Sequence, residues 1–319
     1  MSTGPQPRRF PFRPVALAAI AVAAIVVVIV VLVLDDGPKI ADEIEVGAQP
    51  SAVAVGLDGV WVLNNDSGTL IKVDPDSKKI DGRPVQVGEA PQFIALGEGS
   101  IWTTAGLGSR LVRLDPRTIR IQKTIVDGFE PTGVAVGEGA VWVADAAGDT
   151  VTRIDPSTNR KVGKPIKVGS GPQGVITGSG AVWVANFRDG TVSRIDPGTN
   201  RVVENIRVGN GPGHIALGEG SLWVLNISDR AVVEVDPAQN RVVGRPVPLG
   251  GTPAGIATGE GSVWVTNSGD GTLQRIDPEK HSLDGDPLKV GDHPGGIAVA
   301  DGSVWVTIAD EDKLLRVEP

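Results

Sequence analysis

Tryptophan recurs along this chain at Trp61, Trp102, Trp142, Trp183, Trp223, Trp264 and Trp305, and nowhere else. The spacings are 41, 40, 41, 40, 41 and 41 residues. Each lies in a short apolar run, Val-Trp-Val in five units, Ile-Trp-Thr at Trp102 and Leu-Trp-Val at Trp223. A fixed period near forty residues marks a repeat architecture. Seven such units leave no room for a second globular domain in 319 residues.

The unit that starts at Pro131 shows the parts. Pro131 to Gly137 reads as a first short strand, and Glu138-Gly139 as a tight turn. Ala140 to Asp145 is a second strand, apolar on both faces. Thr150 to Ile154 is a third, stopped by Asp155-Pro156, and Ile166-Lys167-Val168 alternates as a half-exposed fourth. Four short strands separated by Gly, Pro, Asn and Asp clusters predict an antiparallel meander. Burial that falls from the inner strands to the outer one fits a propeller blade packed between two neighbours.

The register predicts how the ring closes. The fourth-strand pattern occurs once before the first blade, at Ile44-Glu45-Val46, while the last unit stops after its third strand at Leu315-Arg316-Val317. Pairing the two gives an all-β, seven-bladed β-propeller with four-stranded antiparallel blades, closed by the N-terminal strand. Closure also hides edges that would otherwise invite aggregation.

Ahead of the repeats, residues 15–34 are twenty uninterrupted apolar residues. As a helix they span about 30 Å, one hydrocarbon core. Arg8, Arg9 and Arg13 precede them, and Asp35 and Asp36 follow. The positive-inside rule then predicts a cytoplasmic basic tail (1–14), a transmembrane signal anchor (15–34), a short linker (35–39) and an extracytoplasmic propeller (40–319). A cleaved signal peptide would have a shorter core and a small-x-small site. The expectation is a single-pass protein of a bacterial cell membrane, its propeller held close to the surface.

There is no cysteine, which excludes disulfide and thiolate chemistry, and the net charge is −8. An acidic body argues against nucleic acid as a partner. The residues call for no cofactor and no metal. The Asp-Pro pairs at Asp74, Asp115, Asp155, Asp196, Asp236 and Asp277 read as turn chemistry. No stretch matches a calcium loop. Asn64, Asp145, Asn186, Asn226 and Asn267, three after their tryptophans, also read as turn caps, and the tryptophans as inter-blade core.

The repeat Pro-x-Gly-Ile-Ala-Val-Gly … Val-Trp-Val-Ala-Asn … Arg-Ile-Asp-Pro-x-Thr-Asn resembles the YVTN-type β-propeller repeat, which is similar to NHL repeats and to the streptogramin B lyase propellers. The resemblance covers residues 40–319 and lacks the marks of WD40 and kelch repeats. For the lyases it implies a Mg²⁺-dependent C–O lyase. Histidines just after the blade proline and a glutamate three after an aromatic would do acid–base work. Here the positions after the prolines hold Ser51, Gln92, Thr132, Gln173, Gly213, Ala254 and Gly295, and those three after tryptophan are never Glu. His214 stands one position further on, and His293 precedes its proline. The resemblance thus carries the fold further than the activity.

The expected function is a non-enzymatic binding or scaffold module for a protein or cell-envelope ligand. A displaced-site lyase and a sensor or assembly subunit of a membrane complex are the alternatives. Candidate ligand-binding residues are Phe93, Phe129, Phe187, Arg188 and His214, on loops of blades two to five that open on the central channel. Aromatic residues beside an arginine are typical binding hot spots.

Overall fold

The computed structural model describes residues 37–107, 109–126 and 130–319, together with Met1. The expected anchor at residues 15–34 lies outside these. No helix among the described residues is long and apolar enough to cross a membrane.

The strands assemble into seven antiparallel sheets. Blade one comprises Pro50–Val55, Val60–Asn64, Thr69–Asp74 and Lys79–Gln86, in that order from the axis outward. Blade seven contains Pro294–Ala300, Ser303–Ile308 and Lys313–Glu318, and its outermost strand is Lys39–Glu45 from the other end of the propeller. Ile44 pairs with Leu314 and Ile40 with Val317, so the ring closes as the orphan pattern predicts. Charged side chains reinforce the seam: Lys313 Nζ lies 2.8 Å from Glu43, and Asp42 lies 3.3 Å from both Arg316 and Lys78. Asp312 accepts the Val46 N–H at its backbone oxygen and the Gln49 N–H at its side chain, both at 2.9 Å.

The outer strands differ from the sequence expectation in where they start. Pairing resumes directly after the Asp-Pro turn, so Asp155 faces Arg160 and Ile154 faces Lys161 before Ile166 pairs with Val151. The chain between carries Gly163 and Pro165, and proline brings no N–H to a ladder. A bulge therefore splits the outermost strand of blade three, and Gly285 and Pro287 do the same in blade six.

Burial is greatest in the second strand of each blade, where Val60–Asn64 and Ser303–Ile308 are wholly buried. The innermost strands are only half-buried because one side lines the axial channel. That corrects a simple gradient from buried inside to wet outside. Each tryptophan fills the gap to the next blade. Trp61 packs with Ile101, Val112 and Leu114 of blade two, and Trp305 with Val53, Val60 and Val62 of blade one.

The turn aspartates behave as expected. Asp74 Oδ1 accepts the Asp76 and Ser77 N–H groups at 3.1 and 2.7 Å, and Asp115 and Asp277 make the same pair of bonds. Those donors hold the Asp74 and Asp115 carboxyls below their ordinary range, and the Lys280 ammonium, followed by the Lys280 N–H, does so for Asp277. The asparagines after tryptophan do something else. Asn64 Nδ2 donates to Val46 O at 2.8 Å and Asn226 Nδ2 to Val208 O at 2.7 Å. Both are buried and tie their blade to the chain arriving from the preceding outermost strand.

Candidate functional site

Two loops of each blade share the face that opens on the channel. The loop entering the innermost strand runs beside the loop joining the second and third strands. Backbone bonds hold them together: Phe187 N–H to Gly171 O at 2.9 Å, Ile227 N–H to Gly211 O at 2.8 Å, and Ser268 N–H to Thr252 O at 2.8 Å. Carboxylates reinforce the pairing, since Asp189 accepts the Ser170 N–H at 2.6 Å and Asp229 the Asn210 N–H at 2.7 Å.

At the axis the residues that follow the blade prolines surround a cavity of about 430 Å³. The position immediately after the proline is polar in blades one to four (Ser51, Gln92, Thr132, Gln173) and small in the rest. Two of these groups are engaged between blades. Ser51 Oγ donates to Pro91 O at 3.0 Å and Thr132 Oγ1 to Pro172 O at 2.9 Å. The Gln92 and Gln173 carboxamides line the cavity and make no hydrogen bond within the described protein.

The next position is glycine in four blades, where the neighbouring backbone comes close. A Cβ on Gly133 would stand 2.1 Å from Gln173 O. Blade one carries Ala52 there, and blades two and five carry the rings of Phe93 and His214. These side chains project into the channel and stack, ring centroids 5.8 Å apart and planes at 28°. Burial within the channel lowers the pKa of His214 to about 4, so the imidazole is neutral at pH 7.

The sequence candidates thus separate. Phe93 and His214 meet, although they stand 121 positions apart in the chain with two blades between them. Phe187 and Arg188 stand on the rim of blade four and do not line the cavity. Phe187 is half-buried against the Gly211 and Ser228 loops, where a Cβ on Gly211 would come within 3.1 Å of its ring. Arg188 is exposed and crosses Gly171. Its charge helps, after the Gly171 N–H, to hold the Asp149 carboxyl below its usual range. Phe129 lies outside the described residues. Gln92 and Gln173 are not among the sequence candidates, although their fixed offset from the blade proline is a signal that points to the channel.

Magnesium takes oxygen ligands, usually one or two carboxylates together with several waters. Among the described residues the cavity wall carries no carboxylate, and no group of three or more His, Asp or Glu is placed to hold a metal ion. The described wall of the axial cavity thus offers no carboxylate to a Mg²⁺ ion. Away from the cavity wall, on the rim of blade seven, His293 Nδ1 lies 2.6 Å from Asp310 Oδ2, both exposed.

Comparison with known proteins places this geometry. The sequence model of the virginiamycin B lyase family matches residues 40–317. Virginiamycin B lyase from Staphylococcus aureus superposes with a TM-score of 0.78 at 18% identity, covering 89% of this chain and 100% of that one. A catalytically inactive histidine-to-alanine variant of that enzyme, solved with quinupristin, gives the same values. A streptogramin B lyase structure follows with 0.77 at 19% identity, covering 88% and 97%. The β-propeller domain of Cps50 (Swd1) from Myceliophteria thermophila reaches 0.76 at 12% identity, covering 89% and 100%. At such identities the likeness is one of fold. No curated protein matches the chain.

Proposed function

The chain belongs to the virginiamycin B lyase family, and from that premise we propose that it uses the propeller as a binding or scaffold module rather than for bond cleavage. One observation carries the reading. The axial cavity presents unpartnered carboxamides and a neutral, stacked imidazole, with no carboxylate beside them among the described residues. Eliminative C–O cleavage needs a base and an acid within hydrogen-bond reach of the substrate. Binding needs shape, apolar surface and a few free hydrogen-bonding groups. On this reading residues 15–34 anchor the propeller at a bacterial cell membrane, facing outward. The channel mouth, with Phe93 inside and Arg188 on the rim, then takes a protein or envelope ligand.

The test has two arms. Incubated with quinupristin, the purified protein should leave it intact; ring opening detected by mass spectrometry would sink the proposal. Affinity capture from detergent-solubilised membranes should retrieve a ligand that the combined Phe93→Ala, Arg188→Ala variant loses, at unchanged melting temperature.

A lyase with a displaced site is the second reading, favoured by family membership and by the His293–Asp310 contact, which would orient an imidazole as a base. It requires quinupristin opening that disappears in His293→Ala.

A further inference from the structure

We propose that the axial cavity takes one uncharged, planar aromatic ring bearing a carboxamide-like group, with Phe93 and His214 clasping its faces and Gln92 and Gln173 meeting its polar edge. This rests on the reading of the cavity as a binding site and goes beyond it by naming the ligand's chemistry.

The first ground is placement. The second position after the blade proline holds Ala52, Phe93, Gly133, Gly174, His214, Gly255 and Gly296. Among the described residues only blades two and five send a ring toward the axis, and those rings face each other. Their centroids are 5.8 Å apart. Carbon layers in contact sit about 3.5 Å apart, so a third ring between them needs roughly 7 Å. The difference is about 1 Å, within reach of modest side-chain rotation. Phe93 and His214 then act as a clip that is nearly closed when empty and opens by rotation to admit a flat ligand.

The second ground is polarity. Gln92, Gln173 and the His214 ring make no hydrogen bond within the described protein, yet all three line the same cavity. Gln173 reaches toward His214, since a Cβ on the preceding Gly213 would lie 3.1 Å from Gln173 Oε1. A carboxamide offers both a donor edge and an acceptor. Two free carboxamides and a neutral imidazole therefore suit a ligand that also both donates and accepts.

The third ground is charge. Among the described residues no Lys, Arg, Asp or Glu lines the cavity. A charged ligand would lose hydration without gaining a counter-ion, and that loss is steep. His214 supplies no charge at pH 7 because its enclosure holds the pKa at about 4. The volume of about 430 Å³ falls within the range of small-molecule sites.

Three probes separate these grounds: nicotinamide, nicotinate and cyclohexanecarboxamide, titrated into the full chain by saturation-transfer NMR and calorimetry at pH 7. Nicotinamide should bind saturably, and nicotinate and cyclohexanecarboxamide at least tenfold more weakly. Phe93→Ala should weaken nicotinamide at least tenfold. Gln173→Leu, which leaves the clip intact, should weaken it several-fold. Equal binding of cyclohexanecarboxamide would overturn the aromatic clip and leave the binding-site reading standing. Equal binding of nicotinate would overturn the demand for a neutral ligand. No saturable nicotinamide binding up to about 10 mM, a millimolar affinity being the weakest of use here, or unchanged binding in both variants, would overturn the proposal. Quinupristin cleavage, by contrast, strikes at the non-catalytic reading alone.

Discussion

At the scale of the residue, the seven tryptophans are alike in burial and unlike in bonding. Trp61, Trp142, Trp183, Trp223 and Trp264 each donate Nε1–H to the backbone oxygen of the glycine five residues earlier, at 2.9 to 3.2 Å. Trp102 Nε1 is buried without a partner. A guanidinium stacks on the ring in both kinds of site, Arg113 over Trp102 at 5.0 Å and Arg194 over Trp183 at 5.6 Å. Trp183→Phe therefore loses a hydrogen bond that Trp102→Phe does not, and Trp102→Phe removes an orphaned donor. Trp102→Phe should be the milder change by about 1–2 kcal/mol, read as a smaller drop in the urea midpoint. Equal midpoints would mean that the indole N–H groups contribute nothing to the seams.

At the scale of the element, the third strand of one blade reaches into the turn of the next. Arg153 donates to Pro197 O at 2.7 Å and Asn200 Oδ1 at 2.9 Å, and Arg113 bonds Asn159 in the same way at 3.0 Å. Between blades five and six the polarity is inverted. Glu234 stands opposite Trp223 where other blades carry Arg or Lys, and His281 replaces the turn asparagine. His281 Nε2 lies 2.6 Å from Glu234 Oε2, its ring lies edge-on to Trp223, and Ser221 Oγ donates to Glu234 Oε1 at 2.6 Å. The two exceptions compensate each other. Glu234→Arg alone sets a guanidinium against an imidazole and should destabilise. Adding His281→Asn recreates the Arg–Asn pairing of the seams between blades two and three and between three and four, and should recover at least about 1 kcal/mol. A double variant no more stable than the single would break this account of the seam.

At the scale of the whole molecule, the ring depends on a strand from one end of the propeller pairing with the other end. Deleting residues 40–47 removes every rung between Lys39–Glu45 and Lys313–Glu318 except that of Lys39, along with Asp42 and Glu43, which pair with Arg316 and Lys313. It also exposes the Trp305 cluster, which includes Ile44 and Val46. The expected result is aggregation or a melting temperature lower by many degrees. A chain beginning at Gly37 retains the strand and should melt as the intact propeller does. Size-exclusion chromatography and thermal melting of the two truncations decide the point.

The sequence by itself determined the blade number, the strand order within a blade, the closing strand and the turn chemistry. These are written locally, in a forty-residue period and in Gly, Pro and Asp at fixed offsets, and a local pattern repeated seven times has few closed solutions. The split outer strands of blades three and six were less legible, because a bulge keeps the pairing while shifting its register. What only the tertiary structure decided is the site. Phe93 and His214 share an offset from their prolines, but a linear repeat says nothing of which blades face each other across the axis. Closure into a ring of seven set blades two and five opposite one another and left the Gln92 and Gln173 carboxamides unpartnered beside the stacked rings. It also turned Phe187 onto the Gly211 loop, away from the channel that its position in the chain implied. Strand geometry is decided by neighbours in sequence, and a cavity by neighbours in space.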